Sequence, residues 1–109
     1  MAVYTPAVLR TPTNITASSV TVFTASGGTV MRSFRFNTLA AHSVFLSIGA
    51  AGAADAVTNR LLDSFLLTVS VPYQENGWWE LANTDILTTH ADSIATNAPV
   101  FGAWGVTWV

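Results

Sequence analysis

The chain has 109 residues, half of them hydrophobic and only 9% charged, with a net charge of -2. That length suits one domain with one modest core, and that charge excludes a broad basic surface for nucleic acid. The absence of cysteine excludes a disulfide framework and a thiolate metal site.

An ordinary soluble domain carries roughly a quarter charged residues. Here the only cations are Arg10, Arg32, Arg35 and Arg60. So few charges leave much of a small surface uncovered, which predicts burial against other chains. No apolar run approaches the roughly 18 residues of a membrane span, and the first residues lack the basic start and apolar run of a signal peptide. The acceptor pattern at Asn14-Ile15-Thr16 reads as ordinary polar sequence without such a signal.

Residues 1–18 hold Pro6, Pro12 and scattered apolar groups with no period of 2.0 or 3.6. Proline fixes φ and pushes its predecessor to extended geometry. The segment reads as an extended arm that laces onto a neighbour, with Tyr4, Pro6, Val8 and Leu9 as its contacts, or as a loose terminus. Residues 19–109 form the domain.

Residues 19–25, β-branched and aromatic, read as a strand, and Ser26-Gly27-Gly28 as a turn. Residues 29–38 alternate, with Val30, Arg32, Phe34 and Phe36 on one face and Arg32 the exception among them. Residues 43–49 put Val44, Leu46 and Ile48 inward and Phe45 outward. Residues 50–59 read as a loop with one helical turn. In 60–71 the second half, from Phe65 to Val71, reads as a core strand stopped by Pro72. Residues 73–77 read as a turn, and 78–82, beginning with Trp78-Trp79, as the next strand. Alternation sends one tryptophan inward. Trp79 shares a face with Leu81, so Trp79 is the inward one and Trp78 the outward one. A strand over 86–95 breaks near Ala91-Asp92. The last segment places Val100, Gly102, Trp104, Val106 and Trp108 on one face and should sit centrally.

Short strands with turn signals every 8–12 residues are the signature of a β-sandwich or small barrel, and the fold expected is all-β, a single small antiparallel β-sandwich of jelly-roll-like kind. Chemistry is sparse. His90 and Asp92, near Asp85, supply too few ligands for a metal and only a thin case for a hydrolase. His42 reads as a turn residue. No nucleophile elbow and no phosphate-binding glycine loop is present. No catalytic residue, metal or cofactor is expected.

Two binding readings remain. Outward aromatics amid few charges mark a protein interface, and its candidates are Phe45, Tyr73, Trp78, Trp79 and Trp104, packing at the contact or just beneath it. Alternatively, Trp78 as a flat platform with Glu75 and Glu80 as acceptors would suit a carbohydrate-binding module.

The succession of Arg32, Phe34, Phe36 and Asn37, then Val44 to Gly49, then Arg60 to Asp63, followed by an aromatic strand and a Gly- and Val-rich final strand, resembles small virion proteins of tailed bacteriophages. The resemblance covers residues 18 to 109. The chain departs from it at 72–79, which is bulkier and more acidic than the usual plain turn. The likeness implies a non-enzymatic minor tail, tail-tip or head-decoration protein, assembled in the bacterial cytoplasm. It would be a homo-oligomer, a trimer being favoured, attached to other tail or capsid proteins, with no nucleic acid or membrane partner.

Overall fold

The computed structural model describes residues 4–52, 56–92 and 97–108. Its strands are β1 (Tyr4–Asn14), β2 (Val20–Thr24), β3 (Gly28–Asn37), β4 (Ser43–Gly49), β5 (Arg60–Leu66), β6 (Tyr73–Leu81), β7 (Ile86–Ala91) and β8 (Val100–Trp108). They form two four-stranded antiparallel sheets, ordered β1-β8-β3-β6 and β2-β7-β4-β5. The pairings are nested: β1 with β8, β2 with β7, β3 with β6, β4 with β5. A chain folded once into a long hairpin and then rolled gives this order, which is the jelly roll.

The core lies between the sheets. Met31, Phe34, Phe36, Val44, Leu46, Leu87 and Phe101 are fully buried there. The ring centroids of Phe36 and Phe101 are 4.9 Å apart, and those of Phe34 and Phe36 are 6.0 Å apart, edge-on. Such pairs add to the burial of apolar area.

Three expectations are corrected. The first concerns phase. Val30 and Arg32 do not share a face with Phe34 and Phe36, because the register of β3 shifts between Met31 and Ser33 against both its neighbours. Against β8 the extra residue lies in β3, and against β6 it lies in β6; such a shift in β3 reverses the facing of everything beyond it. Met31 therefore joins Phe34 and Phe36 in the core, and Arg32 is exposed. The apparent fault of an arginine on the apolar face disappears.

The second concerns β5, which occupies 60–66 rather than 65–71. β4 offers pairing only up to Leu66, opposite Ser43. Beyond it the chain is tied by single bonds, from Leu67 N to His42 O at 2.9 Å and from Ser70 N to Thr38 O at 2.9 Å, with Ser70 at positive φ. Leu67 is still buried, but Val69 and Val71 are exposed. β-Branched residues make a strand only where a neighbour can pair.

The third concerns residues 73–77, which continue β6 instead of turning. Exposure alternates without a break along β6, with Tyr73, Glu75, Gly77, Trp79 and Leu81 on the inner side. Cross-strand partners hold it there, Tyr73 opposite Phe36 and Trp79 opposite Met31. Gly77 makes room for the Trp79 ring, since a Cβ at that position would stand 2.7 Å from it.

The remaining elements follow the expected order. A short 3-10 turn, Val57–Asn59, closes the loop before β5, while 53–55 of that loop lie outside the described residues. β7 ends at Ala91, and residues 93–96, expected to follow its break, lie outside them too. β8 is central, between β1 and β3. Residues 4–14, expected within the arm, form the edge strand β1 on this chain's own β8, with Leu9 buried in the core. Ile15 is also buried, its N–H donating to Pro99 O at 3.0 Å.

Candidate functional site

The outer face of the β1-β8-β3-β6 sheet is built from rows that cross all the strands. One row runs Glu80, Val30, Val106 and Pro6, and the next runs Gly28, Trp108 and Tyr4. Trp108 lies flat over Gly28, where a Cβ would stand 2.0 Å from the indole. A side chain at 28 would lift that ring, so glycine is required by close approach. Tyr4 leans on Trp108 with ring centroids 5.7 Å apart.

On the other side of the Val30 row stands Trp78. It is 62% exposed. The Arg32 guanidinium lies over its ring, 4.9 Å from the centroid, a cation-π arrangement. Arg32 Nε also donates to Gly77 O at 2.8 Å. The Trp78 indole N–H donates to Glu80 Oε1 at 3.2 Å. Between Trp78 and the Trp108–Tyr4 pair runs a groove of about 430 Å³, floored by Val30 and Val106 and flanked by Arg32 and Glu80. Trp104 lies further along the same face, its ring over Gly102 beside Pro12. Val8 stands opposite Trp104 and is 59% exposed. The groove end of the face is thus mostly apolar and aromatic, with one cation and one carboxylate, whereas exposed Arg35, Gln74 and Asn76 make the far end of β3 and β6 polar. The groove end can bind a surface. Among the described residues, no nucleophile, base and orienting partner converge on it.

The fold has solved counterparts in virus particles. A chain of the T13 particle of infectious bursal disease virus, from a crystal structure presented as a missing link in the evolution of icosahedral viruses, matches with a TM-score of 0.60. It is 12% identical, over 96% of this chain and 30% of that one. A chain of the Gx strain of the same virus matches with a TM-score of 0.54 at 11% identity, over 99% of this chain and 32% of that one. This chain therefore spans about a third of the length of the solved chains it matches. At such identity the likeness is one of fold. No family model matches the sequence, and no curated protein matches it.

Only some of the expected site residues meet on this jelly-roll face. Of the interface candidates, Trp78 and Trp104 lie on it. Phe45 is on the outer side of the other sheet, stacked on His90 at 4.2 Å with the Arg60 guanidinium 4.9 Å from its ring. Tyr73 and Trp79 face inward. Tyr73 packs on Phe65 at 4.4 Å and Trp79 on Phe34 at 5.3 Å. Of the arm contacts, Tyr4, Pro6 and Val8 are exposed and Leu9 is buried. Of the sugar-site group, Trp78 and Glu80 touch, but Glu75 shares the inner side with Tyr73 and accepts a 2.8 Å hydrogen bond from its hydroxyl. Burial first, then the acidic Glu75, raise the Tyr73 hydroxyl above its ordinary pKa of 10.0.

His90 stacks on Phe45, whereas Asp92 reaches Nδ1 of buried His42 at 3.2 Å. Asp85 accepts the Ala82 N–H at 2.9 Å in a turn. Among the described residues no group of His, Cys, Asp and Glu could hold a metal ion. Val30, Arg32, Val106 and Trp108 belong to the face and were not among the expected site residues. The alternation of β8 signals Val106 and Trp108, because they share the parity of Trp104. Val30 and Arg32 are hidden by the register shift in β3.

Proposed function

We propose that this chain is a non-enzymatic structural protein of a virion, assembling through the outer face of the β1-β8-β3-β6 sheet. The observation that carries the reading is the apolar groove formed by Tyr4, Val30, Trp78, Val106 and Trp108, with exposed Val8 beyond it on the same face, whereas the comparably exposed Leu39, Val57, Leu66 and Val71 lie off this sheet. The whole chain has only four basic and six acidic residues to keep it apart from its neighbours. Contiguous apolar surface of this kind marks a contact. The likeness to chains of icosahedral virus particles supports the same reading through the fold.

The finer reading is a protein of a tailed bacteriophage, on the capsid surface as decoration or on the tail or its tip, made in the bacterial cytoplasm and oligomeric in the virion. It rests on the strand and turn pattern from Arg32 to Asp63. Gold-labelled antibody on intact particles, viewed by electron microscopy, tests it. Label over the head supports decoration, label at the tail moves the protein there, and particles free of label overturn the virion reading.

Trp78 beside Glu80 also supports a second reading, a carbohydrate platform, which now has to work without Glu75.

A further inference from the structure

We infer that the groove on this face seats a second copy of the chain across a two-fold axis, with Trp78 of each copy in the groove of the other and Arg32 facing Glu80 across the contact. The inference rests on the assembly reading and names the partner and its geometry.

The charges argue for it. The groove holds one cation and one carboxylate, and no ion pair joins them. Arg32 gives its Nε to Gly77 O and lies on Trp78, while Glu80 accepts the Trp78 indole N–H. A two-fold axis maps a patch onto itself, so a patch carrying both signs becomes complementary to its own copy, and the pair forms twice. A ring of three joins two different patches, which gives no reason for both charges to share one groove. The trimer expected from the sequence would then be built on other surfaces.

The shape agrees. Trp78 stands proud beside an apolar trough floored by Val30 and Val106, a knob next to its own hole. The molecule measures 47 × 26 × 18 Å along its principal axes. Its broad side has room for the roughly 800 Å² per partner of a standard interface. A sugar fits less well. A stacking sugar needs an open aromatic face and polar groups at its rim, and here Arg32 covers one face of Trp78 while Glu80 is engaged by the indole N–H.

The test is sedimentation equilibrium of the full chain, with the variants Arg32→Glu, Glu80→Arg, the two combined, and Trp78→Ser. Circular dichroism checks that each is folded. The wild type should be dimeric. Each single charge reversal should raise the dimer dissociation constant by at least roughly tenfold, as for a close interfacial charge pair. The double reversal should bring it back to within about threefold, the signature of direct coupling, and Trp78→Ser should give monomers. A wild type that stays monomeric, a dimer indifferent to both reversals, or a dimer unaffected by Trp78→Ser overturns the inference. So does a shift of tryptophan fluorescence in a monomeric chain on adding galactose or N-acetylglucosamine, which would hand the groove to the sugar reading. Charge-coupled dimers of a protein missing from virions would defeat the virion reading alone. A virion protein with charge-indifferent association would defeat the pairing alone.

Discussion

Gly105 lies on β8 close against the backbone of β3. A methyl group there would stand 2.0 Å from the Val30 carbonyl oxygen and 3.1 Å from Met31 Cα. Those are backbone atoms and cannot rotate away, so Gly105→Ala must push the two central strands apart. We expect a loss of about 2–3 kcal/mol, read as a lower midpoint in urea. The adjacent tryptophans of β6 make a sharper contrast. Trp79 packs on Phe34 and the core, while Trp78 faces water in the isolated chain. Trp79→Ala should cost about 3 kcal/mol by opening a cavity, and Trp78→Ala should stay within about 0.5 kcal/mol. Equal losses in chemical denaturation would contradict the assignment of faces.

At the level of the strands, the sequence was most readable where alternation ran without interruption. In β4 as far as Leu46, and in the register of β8, the inward and outward residues follow the period of two, and the parity of β8 points to the whole row of Trp104, Val106 and Trp108. Arg32 shows where reading fails. An inserted residue leaves no mark in composition, so the shift between Met31 and Ser33 was visible only as a charge in an apolar stripe. β5 and β6 fail for a different reason. Residues 67–71 include the β-branched Thr68, Val69 and Val71 but have no strand to pair with, while 73–76 look like a turn but lie opposite β3. Pairing overrode local preference both times. The same holds for the N-terminal segment. A segment that only reached a neighbour could be trimmed with no loss of stability. β1, however, covers the free edge of β8 and brings Leu9 into the core. Deleting residues 1–14 should abolish the cooperative thermal transition, and an unchanged melting profile would show that β1 contributes nothing to the fold.

For the molecule as a whole, the low charge bears on both stability and assembly. Tyr73 is the group whose titration has a predictable consequence. Its folded-state pKa is raised, so the folded chain prefers the neutral hydroxyl more than the unfolded chain does. Stability from this source is fully present below the unfolded value near 10 and is lost as pH rises through the folded value. Wild-type stability should fall more steeply above pH 10 than that of Tyr73→Phe, and parallel curves in alkaline urea titrations would contradict the coupling. An all-β sandwich was legible from strand count and spacing, but the nested order of its pairs was not, since turns at regular intervals suit a simple meander as well. The face that carries the proposed function was half legible. Trp78 was visible in the sequence as an outward aromatic, but Phe45 lies on the other sheet and Tyr73 turns inward, and the groove needs Val30 and Arg32, which the register shift hides.

The central claim is that this face is buried in the assembled virion. Hydroxyl-radical footprinting of Trp78 and Tyr4, in intact particles against the dissociated chain, tests it most directly. We predict strong protection of both residues in particles and free modification in the chain alone. Equal modification in the two states would mean that the face looks outward from the virion, and would contradict the account.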